Sequence, residues 1–464
     1  MELLEKLVIP PSENHVLLVK YMLIITLTLF IPYISMLLGA SFISSYVNKK
    51  GLQTGNKNYL RFAKDVVEKL TISRSAELAL GAIPAASILF SYAQLLYASK
   101  SISISIMALS IVLFMISFVF IYRYRNSFQI IRLLDSVKGF VKPAGSEKLV
   151  PVRQLADYRG TEMEINKIEE SVLKSNAVAF NFGKWLLLIA AYLFVGTRAL
   201  ASNPPRWETV GNILQIIFSW QTIFDFLALL SVAGTVSGAA ILFYFFKWQG
   251  GLKDMDEEYA GFVKNFAGGL TLVSALSFPV TIFISYLYLP AAAQSQGVFF
   301  YLLLILVIVV IICNYLYFMV KNSDAQPAGL VFGLIITVLL LNIVKDCEAL
   351  GNAIEPQIVE TVKASEEMEK EIKSKLVSAS GVDAAQIYNT KCIACHKFDA
   401  KLVGPPYQQT VPKYNGDVNK LTEYIFNPYK IDPAYPPMPN QGLKKKEAQA
   451  MAKWLIDQVS GKKQ

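Results

Sequence analysis

Two cysteines and a histidine near the carboxyl end of the chain stand at a spacing that can support redox chemistry. The segment runs Cys392-Ile393-Ala394-Cys395-His396, so two residues separate the thiols and the imidazole directly follows the second thiol. This spacing is typical of covalent haem attachment. The two thiols form thioethers with the porphyrin, and the adjacent imidazole can coordinate the iron. The sequence therefore predicts one covalently attached haem c.

Paired cysteines also occur in zinc sites and in thiol-exchange motifs. A structural zinc ion takes four ligands, whereas the chain has four Cys and two His in all and no second Cys/His pair. A redox-active dithiol has the same C-x-x-C spacing, and this use is the alternative to haem. The other two cysteines, Cys313 and Cys347, stand alone and indicate no disulfide framework.

The rest of the chain must supply the helices that position this segment, and its composition is too apolar for a soluble protein. Of its 464 residues 54% are hydrophobic and only 17% are charged. A bilayer core takes about 20 consecutive apolar residues per helix. The sequence therefore predicts an all-α polytopic membrane bundle of about eight helices in the lipid bilayer. The candidate spans are 16–38, 77–97, 103–122, 185–200, 226–246, 259–289, 298–320 and 330–344.

Lys and Arg are unevenly distributed among the loops. The loops after the first and third spans are strongly basic, whereas Lys100 is alone after the second and 290–297 carries no charge. Basic loops stay in the cytoplasm, so both termini are expected to be extracytoplasmic and the haem segment to lie in the periplasm or outer space. The net charge of +9 is then explained by these loops, and no nucleic-acid partner is expected.

The amino-terminal segment indicates whether the first span is a cleaved signal or a permanent membrane helix. The first 15 residues hold Glu2, Glu5 and Glu13 and lack the basic start and cleavage site of a secretory signal. The first span is therefore expected to remain as an uncleaved helix. We expect a multi-pass cell (inner) membrane protein.

The composition changes abruptly after residue 344. Glu366 and Lys370, and likewise Glu369 and Lys373, stand four apart, which supports a solvated helix. The predicted layout is a transmembrane domain at 1–346, a charged helical linker at 347–380 and a haem domain at 381–464. A docking helix for a partner subunit is the alternative for the linker.

From residue 381 to 464 the chain resembles the class I c-type cytochromes. Tyr388 stands four residues before Cys392, where that family has an aromatic ring packed on the last helix, and Ala384 occupies a position where many members have glycine. Gly404 and Pro405 match a further family segment. The resemblance implies that the carbonyl of Pro405 accepts a hydrogen bond from the ligand imidazole of His396, which orients the ring and raises its basicity.

The same resemblance implies a methionine as the second axial iron ligand, a pairing that raises the haem potential. Met438 lies in a proline-rich segment 42 residues after His396, which matches the family position. Met451 instead shares one face of a predicted helix with Ala448 and Leu455, a pattern typical of core residues. We therefore expect His396 and Met438 to be the metal ligands, with Met451 as the alternative.

The membrane part offers less chemistry. Its only histidine, His15, precedes the first span, and the predicted spans are nearly free of ionisable residues, so no proton or ion pathway is expected. Phe30-Ile31-Pro32 and the segment 60–81 resemble the opening of the large subunit of bd-type quinol oxidases, but the first span lacks the haem-ligating histidine of those enzymes. The aromatic segment 203–221, with Trp207 and Arg206 near Arg198, predicts either interfacial anchoring or a pocket for a quinol head group.

These features predict a membrane-anchored c-type cytochrome that transfers single electrons. Its partners would be a membrane redox complex or the quinol pool on one side and a soluble or membrane-bound electron carrier on the other. Two alternatives are a quinol-oxidising subunit of a respiratory complex that delivers electrons to its own haem c, and a haem-based redox sensor. An electron-transfer subunit is favoured over a self-contained oxidoreductase, because no catalytic residues can be named in the membrane part.

Overall fold

A computed structural model of the chain describes residues 10–71, 74–141, 152–252, 255–380 and 383–461. In these ranges every regular element is a helix, which confirms the all-α prediction. The chain divides into two compact units, Met1–Val362 and Lys363–Gln464, called here the first and second units. The segment 142–151 of the predicted basic loop and the start of the predicted haem domain, 381–382, lie outside the described residues.

Ten helices of 14 or more residues lie in the described ranges before the second unit's short helices. They are α1 (Glu13–Thr54), α2 (Lys57–Leu70), α3 (Ser75–Leu95), α4 (Ser103–Val141), α5 (Val152–Ala201), α6 (Trp220–Phe246), α7 (Glu257–Leu287), α8 (Gln296–Asn322), α9 (Ala328–Ala353) and α10 (Glu355–Ser380). Eight of them, α1 and α3 to α9, are long and apolar enough to cross a bilayer. The count of eight candidate spans is thereby confirmed.

The two basic loops differ from expectation, since both are largely helical. In the first, α2 is amphipathic and buries Phe62, Val66 and Leu70 completely, while its basic residues lie on the other face. The second is formed mostly by continuations of α4 and α5, whose 39 and 50 residues exceed the length of a span. No proline stands between the end of the predicted third span and Val141, so nothing in that stretch ends the helix.

Aromatic rings and small residues hold the first unit together. Phe30 of α1 packs edge-to-face on Phe114 of α4 and Phe194 of α5, with ring centroids 5.4 and 5.3 Å apart. Gly39 of α1 faces Ser237 of α6 so closely that a β-carbon there would lie 2.7 Å from the backbone carbonyl oxygen of Ala233. Small residues of this kind let membrane helices approach each other.

Helix α10 follows α9 after Ile354 alone, so the predicted domain boundary at 346/347 falls within α9. The 26 residues of α10 include the predicted ion pair between Lys373 and Glu369, whose Nζ and Oε1 atoms are 2.7 Å apart. Both side chains are well exposed, so solvent screens the pair and it contributes little to stability.

The second unit folds four short helices around one apolar core. They are α11 (Ala384–Ile387), which continues into a π-helical turn at Tyr388–Cys392, α12 (Tyr407–Thr410), α13 (Val418–Phe426) and α14 (Lys445–Ser460). Helix α14 buries Ala448, Met451 and Leu455, three residues on one face of the helix. The ring of Tyr388 lies 5.3 Å from that of Trp454 on α14, which is the packing that the resemblance implied.

Candidate functional site

The second unit encloses a cavity of about 350 Å³ between its helices and its long irregular segments. All five sequence-predicted site residues line it: Cys392, Cys395, His396, Pro405 and Met438. These residues are separated by up to 46 positions in the chain, so the fold brings them together. A volume of this size falls within the range of roughly 300–1,000 Å³ typical of cofactor pockets.

Local backbone structure explains how the thiols and the imidazole reach one cavity. Cys392 ends the π-helical turn, and its carbonyl accepts hydrogen bonds from the backbone amides of Cys395 and His396 at 3.1 and 3.0 Å. This tight turn places all three side chains on the cavity wall. Both cysteines are free thiols, and burial raises the pKa of Cys392 above its ordinary value.

The imidazole of His396 has a defined orientation. Its Nδ1 lies 2.9 Å from the carbonyl oxygen of Pro405. A carbonyl oxygen can only accept a hydrogen bond, so this contact requires the proton to be on Nδ1. Nε2 then keeps its lone pair, which is the state in which an imidazole can coordinate a metal.

Gly404 lies directly against the same ring. A β-carbon at position 404 would collide with Cε1 of His396 and would lie 2.7 Å from its Nδ1. The amide of Gly404 also donates to the carbonyl of Cys395 at 2.8 Å, which ties the loop to the attachment turn. A glycine is therefore required here, because the backbone passes where any side chain would displace the imidazole.

Tyr407 is a site residue that the sequence did not single out. Its ring stacks on the imidazole of His396, with centroids 5.0 Å apart and planes 20° from parallel. Burial, followed by the neighbouring thiol of Cys392, raises the pKa of this phenol far above its ordinary value, so it stays neutral at physiological pH. The sequence feature that could have identified Tyr407 as a site residue is its position directly after two prolines, at the start of α12.

The two methionines both line the cavity but occupy different environments. Met451 is 1% exposed and belongs to the core of the second unit, next to Ala448 and Leu455. Met438 is half-buried and lies in the irregular stretch between α13 and α14. The side chain of Met451 is fixed by its packing in the core. Met438 lies in a loop, so its thioether can point into the cavity.

The chemistry of this lining fits a covalently attached haem. Two thiols, one imidazole with a free Nε2 and a thioether supply the donor atoms. Apolar side chains form much of the remaining wall, among them Val403, Val411, Leu421, Ile425, Leu443 and Leu455. A flat, apolar macrocycle with two points of covalent attachment and two axial ligands matches this combination.

The first unit contains a second polar site, which corrects the expectation that the spans hold almost no ionisable residues. Arg198, Asp225, Lys345 and Asp346 all lie within candidate membrane-spanning helices and line a cavity of about 100 Å³. Arg198 stands near the end of its predicted span, whereas the other three stand just outside theirs. The helices α6 and α9 extend beyond the predicted spans and include Asp225, Lys345 and Asp346.

The aromatic segment 203–221 forms no part of this second cavity. Trp207 is 7% exposed and donates from Nε1 to the carbonyl of Leu200 at 2.9 Å. Arg206 donates to Oγ of Ser219 at 2.9 Å. Of the residues proposed for a quinol-head pocket, only Arg198 lines the cavity.

Comparison with known proteins concerns the second unit. The family described as Cytochrome c matches residues 382–457. Cytochrome c-551 of Pseudomonas aeruginosa is 36% identical over 73 residues, which are 15% of this chain and 70% of that protein. Cytochrome c-551 of Azotobacter vinelandii is 32% identical over 75 residues, 15% of this chain and 92% of that protein. No solved structure gives a significant match, and these matches give no support to the bd-type resemblance of the membrane part.

Proposed function

Since this chain belongs to the cytochrome c family through its carboxyl-terminal region, we propose that it is a membrane-anchored c-type cytochrome. It transfers single electrons between a membrane redox complex and an extracytoplasmic carrier. The observation that carries the proposal is the meeting of Cys392, Cys395 and His396 on one largely apolar cavity. The proposed domains are the transmembrane part at 1–346, the linker at 347–380 and the haem domain at 381–464.

Each site residue has a distinct role in this proposal. Cys392 and Cys395 would hold the haem through thioether bonds, and His396 and Met438 would supply the protein ligands of its iron. When bound, the haem supplies reversible one-electron transfer, because its iron is stable in both the ferrous and the ferric state. Pro405 fixes the orientation of His396 and raises the basicity of its Nε2 through the hydrogen bond at Nδ1.

The cavity walls contribute by excluding water and limiting movement. Tyr407 covers one face of the imidazole, and the backbone of Gly404 lies against the edge of the ring. A ligand that cannot rotate keeps the same geometry in both oxidation states, which reduces the rearrangement that accompanies each electron transfer.

The eight apolar helices anchor the protein in a cell membrane, and the distribution of basic residues supports extracytoplasmic termini. The haem domain would then face the periplasm or outer space, where its soluble or membrane-bound carrier would be found. The quinol-oxidising subunit is the second candidate, and the polar cavity in the first unit favours it.

Optical spectroscopy of the purified full-length protein tests the proposal. We expect a c-type spectrum that ascorbate reduces and ferricyanide reoxidises, and a haem that stays with the polypeptide after denaturation. The matched variant C392A/C395A should carry no haem after denaturation. Haem that is lost from the denatured wild-type chain, or a wild-type chain with no haem after expression with a maturation system, would contradict covalent attachment.

A further inference from the structure

A cluster of ionisable side chains is buried near one end of the membrane bundle. Nη2 of Arg198 lies 3.1 Å from Oδ2 of Asp346, and Nζ of Lys345 lies 3.1 Å from the other carboxylate oxygen. Arg198 also donates from Nε to the hydroxyl of Tyr92 at 3.4 Å. Across the cavity wall, Ser285 donates a hydrogen bond to Asp225.

Charges inside a membrane bundle are expensive and point to function rather than to stability. The side chain of Lys345 is only 5% exposed and that of Arg198 18%. Three other spanning helices contribute to the same cavity, because Tyr92, Asp225 and Ser285 come from α3, α6 and α7. A simple ion pair between two helices would need no such cavity.

The cavity also contains an unused hydrogen-bond acceptor. Asn342 of α9 lines it, and its Nδ2 lies 3.5 Å from Oδ2 of Asp346. Its Oδ1 is inaccessible to solvent and has no hydrogen-bond partner. A buried polar atom without a partner is unfavourable, so it indicates a group that binds there.

The charges of the cluster define the kind of ligand. Two cationic side chains, Arg198 and Lys345, face two carboxyl groups, those of Asp225 and Asp346, so the lining has no strong excess of either sign. An anionic head group would meet the carboxylates, and a cation would meet the guanidinium and ammonium groups. A neutral ligand with both hydrogen-bond donors and acceptors fits this lining better.

A smaller apolar cavity adjoins the polar one. It has a volume of about 20 Å³, and Val232, Phe278 and Leu339 form walls of both cavities. Its remaining walls are mostly aliphatic residues of α6 to α9. The polar site is therefore continued by apolar surface, which suits a ligand with a polar ring and an apolar substituent.

From these observations we propose that the polar cavity binds the head group of a quinone or quinol. Carbonyl oxygens of the ring would accept hydrogen bonds from Arg198 or Lys345, and the hydroxyls of the reduced form would donate to Asn342 or Asp225. The inference rests on the proposed function, since it names the membrane-soluble redox partner of that function. The distribution of basic residues puts this end of the bundle on the outer side.

Binding to the full-length holoprotein in detergent tests the proposal without any electron transfer. The probes are decylubiquinone and menadione, and 2-methylnaphthalene is the analogue without carbonyl groups. The variant Asn342→Leu keeps the side-chain size but removes the acceptor. Asn314→Leu makes the same change on α8, where the side chain donates to Val310 of its own helix and lies outside the cavity.

We expect the wild type and Asn314→Leu to bind both quinones, Asn342→Leu to bind them about tenfold more weakly, and the naphthalene to bind no variant specifically. Equal affinity of Asn342→Leu and the wild type would overturn the proposal. Should Asn342→Leu fail to fold, photolabelling of the wild type with an azidoquinone decides. Label on a residue that lines the polar cavity supports the site, and label elsewhere refutes it.

These measurements separate the inference from the proposed function. Ascorbate reduction of the haem tests the cytochrome without the membrane cavity, whereas quinone binding tests the cavity without the haem. A protein with a normal c-type haem and no quinone affinity would refute only the present inference. A protein that binds quinone but carries no covalent haem would refute only the proposed function.

Discussion

The imidazole of His396 is held on two sides, by the carbonyl of Pro405 at Nδ1 and by the backbone of Gly404 at its edge. We predict that Gly404→Ala displaces the ring and destabilises the second unit by about 1–3 kcal/mol, because the new methyl group overlaps the imidazole. Visible circular dichroism of the haem during thermal unfolding measures this effect. Gly461→Ala is the control, since nothing lies within 4 Å of a β-carbon there. Equal stability of the two variants would contradict the prediction.

Two methionines line the same cavity, and only one is expected to contact iron. Met438→Leu should lower the haem potential by an amount on the order of 0.1 V, since axial ligands cover a range of roughly 0.8 V, and should remove the absorption band of the methionine–iron bond. Met451→Leu keeps the core volume and should change neither quantity. Redox titration of both variants checks this prediction. The assignment would be reversed if Met451→Leu alone lost the band.

The convergence of the predicted attachment residues could be predicted from the sequence, because their geometry is local. Cys392, Cys395 and His396 occupy one turn, and no other part of the chain is needed to predict that they converge. Tyr407 was not singled out, since its stacking on His396 arises only when the loop after Gly404 folds back over the attachment turn. That fold depends on tertiary contacts which residue spacing does not reveal.

At the scale of single helices, Asp417 caps the amino terminus of α13. Its Oδ1 accepts hydrogen bonds from the backbone amides of Asn419 and Lys420 at 3.0 and 3.1 Å. These bonds, that of Lys420 first, lower the pKa of Asp417 below its ordinary value. A lowered folded-state pKa stabilises the fold above the unfolded-state pKa of about 3.9, and the stabilisation is lost as the pH falls through the folded-state value.

This cap predicts a specific pH dependence. Asp417→Ala should unfold at a lower temperature than the wild type at pH 7, and the difference should shrink as the pH falls below about 4. Asp417→Asn retains a capping oxygen and should show a smaller deficit at pH 7, which should also shrink as the wild-type carboxylate becomes protonated. Thermal melts of the holoprotein followed through haem circular dichroism at several pH values provide the test. A constant difference between Asp417→Ala and the wild type down to pH 2 would count against this role.

The crossing of α1 and α6 depends on one glycine. A β-carbon at Gly39 would collide with Ser237 and with the backbone carbonyl of Ala233, and the backbone cannot move aside cheaply. Gly39→Ala should therefore destabilise the first unit by about 1–3 kcal/mol. Gly333→Ala on α9 meets no atom within 4 Å, so it should be neutral or stabilising by up to about 1 kcal/mol. Detergent unfolding of the two variants, compared with the wild type, distinguishes these outcomes.

Within the described residues, hydropathy predicted each of the eight candidate spans but not the helix ends. A hydropathy pattern records which residues can enter a bilayer, whereas a helix continues until a proline or a capping residue stops it. Helices α4 and α5 therefore extend far beyond their spans, and α9 continues past residue 344. The same effect hid part of the buried cluster, because Lys345 and Asp346 directly follow the predicted span 330–344 and looked like residues at the edge of a loop.

For the whole molecule, the charge of the second unit determines how it meets a partner. Residues 381–464 contain 12 Lys and 7 Asp or Glu, a net charge of +5. Complementary charges raise the rate of encounter, and added salt screens them over a distance of about 8–10 Å. The haem should therefore exchange electrons faster with anionic than with cationic reagents at low ionic strength.

Two small reagents of opposite charge make this testable on the intact protein. Oxidation of the reduced haem by ferricyanide, an anion, should slow several-fold as ionic strength rises from 0.01 to 0.5 M, because the Debye length falls from about 30 Å to below 10 Å. Reduction of the oxidised haem by hexaammineruthenium(II), a cation, should instead accelerate over the same range. Stopped-flow absorbance at the haem band measures both rates. If both rates changed with salt in the same direction, the net positive charge would not control the encounter with partners. Recognition would then have to depend on a local patch around the haem edge.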